Sequence, residues 1–265
     1  MLSDIGLRPS KGRGQNFLVT ADVARKIVAT APDPLATAVE IGPGLGALTE
    51  ALLEKEARVF AIEIDRRLCG HLRRRFGDVP RLQLTEGDAL EWDWQKWLAE
   101  SPAPRILFGN LPYSISAPII EKIFQYAGLF SEAILCLQTE VAERILSDGG
   151  RGMGPITLLA RRFCARREKL FHISPGAFFP SPKVSSTVIR LVLNPAVTWS
   201  EADRRIPRLL FAHRRKVLSH VVPPDILAGR LDTKGRSYAS RRIDELSIDE
   251  AADLAEQLRQ QVECR

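Results

Sequence analysis

The sequence predicts an α/β fold with a doubly wound, Rossmann-like sheet, followed by a small all-α C-terminal segment. Three observations carry this prediction. Short apolar runs alternate with helical patterns through residues 1–150, the first such run ends in a glycine cluster that opens a helix, and the β signal stops near residue 195. Strands that alternate with helices form βαβ units, whose parallel sheet is covered on both faces.

Residues 37–41 read as a buried strand. A helix follows over 48–56, with apolar positions at 48, 51 and 52. A second strand spans 57–64 and a charged helix 66–76. Further strands are expected at 81–85, 105–108 and 132–137, with helices at 118–126 (proline in the first position) and 140–146. After Gly149-Gly150 the pattern gives a helix over 156–164. Strands then follow at 170–173 and 184–193, joined by a proline-rich loop. Beyond Pro195 only helical patterns remain, at 201–211, 215–221, 225–231 and 248–260. The expected division is a domain of residues 1–194 and a helical domain of residues 195–265.

Composition narrows the functional classes. The chain has 265 residues, 45% hydrophobic and 26% charged, which excludes a disordered, collagen-like or disulfide-scaffold protein. Net charge is +6, but it is not spread evenly. Residues 151–242 hold 19 Lys+Arg against 5 Asp+Glu, whereas residues 1–150 and 243–265 are net acidic. Such a basic stretch suits a polyanion. The densest runs include Arg161-Arg162 and Arg214-Arg215-Lys216. No Cys-x-x-Cys pair occurs among the four cysteines, so no metal is expected. The start shows no secretory signal and no run approaches 18 apolar residues, so the expectation is a cytoplasmic protein that does not enter a membrane.

Five motifs carry the chemistry. Glu40-Ile-Gly42-Pro-Gly44-Leu-Gly46 ends a strand and opens a helix, where backbone N–H groups can approach a ligand closely. Glu63 ends the next strand and can accept hydrogen bonds from two ribose hydroxyls. Together they indicate a nucleoside-containing cofactor, without separating a dinucleotide from S-adenosylmethionine. Gly87-Asp88-Ala89 follows the third strand; a carboxylate there can hold an adenine amino group or simply cap a helix. Asn110-Leu111-Pro112-Tyr113 follows the fourth. An adenine amine is a poor nucleophile because its lone pair is delocalised into the ring. A site that methylates it must accept its N–H bonds and draw the nitrogen toward sp³ geometry. An Asn oxygen and a backbone carbonyl beside a proline suit that task, and Tyr113 can stack on the base. Gln15-Asn16-Phe17-Leu18 near the start and Phe178-Phe179-Pro180-Ser181-Pro182-Lys183 are weaker signals. The first reads equally as a helix-capping region and the second as a proline-rich connector.

QNFL, EIGPGLG, AIEID, EGDAL, GNLPYSIS, FFPSPKVSS and FAHRRKVL stand in the order seen in the KsgA-type small-subunit ribosomal RNA adenine dimethyltransferases, which this chain resembles from Lys11 to Ala255. The resemblance implies a seven-stranded S-adenosylmethionine-dependent methyltransferase domain with a small helical C-terminal domain. It implies conversion of two adjacent adenines in the 3′-terminal rRNA hairpin to N6,N6-dimethyladenine during subunit assembly. Gln15, Asn16, Leu18, Gly42, Gly44, Glu63, Ile64, Asp88, Ala89 and Asn110 then fall on cofactor positions. Asn110, Leu111, Tyr113 and Phe178 fall on catalytic ones, Phe178 as the aromatic that faces the target base. Arg161, Arg162, Lys183, Arg214, Arg215 and Lys216 are the expected RNA contacts. The expected partner is small-subunit rRNA in the pre-30S particle, met by a monomer. Thr139 and Met153 depart from the family's usual Lys and Tyr. Alternatives are a large-subunit rRNA adenine methyltransferase of the erythromycin-resistance type and a non-catalytic assembly or transcription factor. A dehydrogenase fits less well, because nothing in NLPY supplies hydride chemistry.

Overall fold

A computed structural model describes residues 16–112, 114–231 and 234–263. Its centre is a seven-stranded sheet of β2 (Thr37–Ile41), β3 (Arg58–Glu63), β4 (Leu82–Glu86), β5 (Arg105–Asn110), β6 (Glu132–Gln138), β7 (Cys164–Ile173) and β9 (Ser186–Leu193). The spatial order is β4-β3-β2-β5-β6-β9-β7. Strands β2 to β6 pair in parallel, and β9 runs antiparallel to both β6 and β7. The direction of chain progression reverses between β2 and β5, which opens a crevice at their C-terminal ends.

Period-2 alternation sends each strand's side chains to two cores. Val39, Ile41, Phe60 and Ile62 pack on one side with Ile119, Ile120, Ile123 and Phe124 of α5 (Ser116–Gln125). Ala38, Val59, Ala61 and Phe108 pack on the other, against α1 (Ala21–Val28) and α2 (Ala47–Glu54). Helix α3 (Arg66–Phe76) starts at Asp65, whose side chain accepts from the Arg67 N–H, and α6 (Thr139–Leu146) follows β6. The tail contributes α8 (Glu201–Ala212), the single turn α9 (Pro224–Leu227) and α10 (Ile248–Glu263). Its buried Ile206, Leu210, Leu254 and Leu258 share a cluster with Met153 and with Leu158 of α7 (Pro155–Phe163).

Several elements differ from the sequence reading. Helix α5 begins at Ser116, so Pro118 lies third in its first turn, where a helix needs no donor from it. Strand β7 starts at Cys164 rather than at 170, because Arg166 to Lys169 hide it behind charge; such residues belong on a sheet edge, where they discourage pairing with another chain. Residues 215–221 form no α-helix: a 3-10 turn, Leu218–His220, follows a bridge from Val217 to Arg242. The expected helix at 225–231 is the four-residue α9. Two elements were not expected at all, the short α4 (Trp94–Trp97) and an antiparallel ribbon of β1 (Phe17–Leu18) with β8 (Phe178–Phe179).

Candidate active site

The C-terminal ends of β2 to β5 enclose a cleft of about 240 Å³. Every expected cofactor residue within the described part of the chain lines it: Asn16, Leu18, Gly42, Gly44, Glu63, Ile64, Asp88, Ala89 and Asn110. Gln15 and Tyr113 lie outside the described residues.

The glycine loop hugs the helix packed beneath it. Gly46, at φ +86°, stands at the N-cap of α2, and a Cβ there would lie 2.7 Å from the Phe76 ring and 2.9 Å from Leu72. Gly44, at φ +59°, lies under the Phe17 ring, 2.9 Å from where its Cβ would stand. No side chain fits at either position without strain.

Glu63 is 4% exposed. Its Oε2 accepts from the Gly44 N–H at 3.1 Å and its Oε1 from the Asp65 N–H at 2.9 Å. Burial pushes its pKa up, while these two donors pull it down. The carboxylate therefore joins the glycine loop to the start of α3. The Glu63 carbonyl accepts from Gly87 N–H at 2.9 Å, which brings the next strand's loop alongside. There Asp88 Oδ1 accepts from the Leu90 N–H at 2.8 Å, leaving its other oxygen for a ligand.

The fourth strand end is tied to the N-terminal motif. Asn110 Nδ2 donates to the Asn16 carbonyl at 2.9 Å. A carbonyl can only accept, so the amide nitrogen is fixed there and Oδ1 remains as the acceptor. Leu111, 2% exposed, donates its N–H to Cys136 O of β6 at 3.3 Å. The two weak motifs of the sequence meet here. Phe17 pairs with Phe179 and Leu18 with Phe178. Phe178 is 3% exposed, packs in the core with Leu18 and is not among the residues that line the cleft. The exposed ring of the pair is Phe179.

Two residues escaped the sequence reading. Glu40, next to last in the buried strand β2, lines the cleft and is fully buried; Thr49 Oγ1 donates to its Oε2 at 2.7 Å. An acid inside a buried run was the signal that it needed a specific role. Lys122 is 8% exposed on the packed face of α5. Its Nζ donates to Leu90 O at 2.6 Å and Trp92 O at 2.7 Å, anchoring the Asp88 loop to the helix that follows Asn110. Burial holds its pKa down. Nothing in its sequence context announces that contact.

Desolvation, reinforced by Glu63, raises the Glu40 pKa from 4.5 to about 7. The native chain therefore keeps a proton that the unfolded chain has released between those pH values. Stability is undiminished below pH 4.5, falls as the pH rises to 7, and then levels off. Glu40→Gln keeps an acceptor for Thr49 and removes this cost, which is roughly 3 kcal/mol at full extent. The variant should melt higher than wild type at pH 8 and nearly together with it at pH 5. Equal differences at both pH values would contradict the assignment.

The basic residues divide into two groups. Arg162 lies between Asp203 (2.7 Å) and Glu256 (2.9 Å), and Arg161 pairs with Asp249 at 2.8 Å. Both tie α7 to the tail. Arg214 pairs with Asp244 at 3.5 Å and donates to Arg151 O at 2.9 Å. Lys183, Arg215 and Lys216 are exposed and form no ion pair among the described residues.

Comparison with known proteins places the chain in a family. The family model described as ribosomal RNA adenine dimethylase matches residues 8–260. The chain is 37% identical to ribosomal RNA small subunit methyltransferase A of Pseudomonas savastanoi pv. phaseolicola, over 96% of each protein. Its Hahella chejuensis counterpart is 39% identical, covering 83% of this chain and 82% of that one. Among solved structures, a dimethyladenosine transferase from Plasmodium falciparum superposes with a TM-score of 0.72 at 24% identity, covering 92% of this chain and 98% of the other. The 23S rRNA methyltransferase ErmE superposes with a TM-score of 0.69 at 26% identity, covering 92% and 99%.

Proposed function

Because this chain belongs to the ribosomal RNA adenine dimethylase family, we propose that it transfers methyl groups from S-adenosylmethionine to N6 of two adjacent adenines in the 3′-terminal hairpin of small-subunit rRNA, during assembly of the pre-30S particle. The observation that carries the reading is Asn110. Its amide nitrogen is spent on the Asn16 carbonyl, and its oxygen is left as an acceptor at a cleft built for a nucleoside.

The cleft residues fit the cofactor. Each Glu63 carboxylate oxygen accepts one backbone N–H, from Gly44 or from Asp65, and retains lone-pair capacity toward the ribose hydroxyls. Ile64 is 53% exposed, and this apolar surface suits the face of an adenine whose amino group reaches Asp88. Gly42 and Gly44 admit the methionine end close to the backbone, under Phe17. When bound, S-adenosylmethionine supplies an electrophilic methyl group. The chain's own residues hold the nucleophile: Asn110 Oδ1 and the Leu111 carbonyl accept the two amine N–H bonds, and Tyr113 stacks on the extruded base. No strong base is required, since the amine becomes acidic only once methylated.

In this reading residues 1–194 form the methyltransferase domain and residues 195–265 a helical RNA-binding domain. Lys183, Arg215 and Lys216 then supply phosphate contacts. The large-subunit reading shares the cleft and differs only in the RNA presented to it. Incubation with methyl-labelled S-adenosylmethionine and undermethylated small or large subunits, followed by mapping of the label, tests the choice. Label is expected on two neighbouring small-subunit adenines. Label confined to large subunits would overturn the reading.

A further inference from the structure

The ribbon of β1 and β8 has a consequence for substrate recognition. Residues directly opposite each other in an antiparallel pair project from the same face, and successive residues project from opposite faces. Phe17 is opposite Phe179, and Leu18 is opposite Phe178. One face thus holds Leu18 and Phe178, both buried in the core cluster. The other holds Phe17 and Phe179. Phe17 covers Gly44 and lines the cofactor cleft, and Phe179 stands directly opposite it on the neighbouring strand. Yet Phe179 does not line the cleft, and it is 52% exposed where Phe17 is 7%.

The surroundings of Phe179 resemble a single-strand nucleic-acid platform. Pro180 and Pro182 stiffen the following turn. Lys183 is exposed and has no ion-pair partner among the described residues. Val19 and Val184, close in chain to the ribbon, are 45% and 46% exposed. An aromatic ring beside apolar surface and a nearby cation is the combination that stacks a base and holds its phosphate.

We propose that Phe179 stacks on the nucleobase next to the adenine being methylated, with Lys183 on the intervening backbone. This inference rests on the rRNA methylation reading. A base drawn into the cleft toward Asn110 leaves its neighbour unstacked on one face, and Phe179 at the rim replaces that lost partner. Phe179 is thus a substrate-positioning residue, separate from the groups that hold the amine.

The test uses the full chain with undermethylated small subunits and compares Phe179→Ala, Phe179→Leu and Phe179→Trp with wild type. Stacking on one base predicts that Phe179→Ala raises the KM for subunits about tenfold or more. The dissociation constant for S-adenosylmethionine and the melting midpoint should stay at wild-type values. Phe179→Trp should restore the subunit KM, whereas Phe179→Leu, apolar but without a π face, should not. A subunit KM within twofold of wild type for Phe179→Ala, or equal rescue by Leu and Trp, would overturn the proposal alone. A wild-type protein that transfers no methyl group to small-subunit adenines would overturn the functional reading and this proposal with it.

Discussion

Asn110→Ala is expected to lower the rate of methyl transfer by at least about 100-fold, the scale seen when one preorganised hydrogen-bonding group is removed from a reacting centre. The target amine must give up conjugation with its ring before it can attack, and hydrogen-bond acceptors aimed at its two N–H groups are what the chain can contribute. The Asn110 side chain is preorganised for this. Its nitrogen is held by Asn16 O at 2.9 Å, so the oxygen does not rotate away when substrate arrives. Alanine removes both the acceptor and the tether. Single-turnover transfer to small subunits measures the loss, and calorimetric binding of S-adenosylmethionine separates it from displacement of the Asn16 segment. Subunit binding should be nearly unchanged, since Asn110 carries no charge. Turnover within threefold of wild type would remove Asn110 from the chemistry.

The placement of Asn110 also shows what was legible in sequence. The strands at 37–41, 105–108 and 132–137 were readable because parallel strands buried on both faces are continuous apolar runs. The glycine loop, Glu63 and Asn110 each end such a strand and Asp88 follows the alternating edge strand β4, so once the strands are assigned, the topology alone gathers them at one edge. Contacts made by residues far apart in sequence were not readable. Residues 17–18 and 178–179 are too short to announce strands, and only their mutual pairing makes them so. Lys122 looks like any helix lysine until its reach to Leu90 O and Trp92 O is seen.

The charge distribution was legible as composition but not as geometry. The basic stretch of residues 151–242 and the acidic tail read as separate properties, one for RNA and one offsetting the total. In the fold they are partners: Asp244 meets Arg214, Asp249 meets Arg161, Asp253 meets Arg230 and Glu256 meets Arg162. Arg161 and Arg162 thus secure the tail against α7, while Arg214 and Arg230 pair within it. Lys183, after β8, and Arg215-Lys216, after α8, are exposed and form no ion pair among the described residues.

Glu63→Gln is the most demanding test of the cofactor site, and it should weaken S-adenosylmethionine binding by about 100-fold, the effect of losing charge-assisted hydrogen bonds worth roughly 1.5–3 kcal/mol each. The substitution is nearly isosteric, so the 4%-exposed position stays filled. What changes is the number of acceptors. The carboxylate serves the Gly44 N–H with one oxygen and the Asp65 N–H with the other, and each oxygen still has capacity for a hydroxyl. In glutamine one of those oxygens becomes an NH2 group. Whichever way the amide turns, a donor then faces a backbone donor, at Gly44 or at Asp65, and only one oxygen is left for two ribose hydroxyls. Turned toward Gly44, the NH2 group also pushes on the loop that covers the cofactor; turned toward Asp65, it disturbs the entry to α3. Because burial raises the Glu63 pKa, protonation should mimic the substitution, and wild-type affinity should fall more steeply on acidification than that of Glu63→Gln, which keeps only the titration of Glu40 in the cleft. Calorimetric titration of both proteins from pH 5 to 8 gives the two curves. Parallel curves, or an affinity for Glu63→Gln within fivefold of wild type at pH 8, would show that the ribose is held elsewhere.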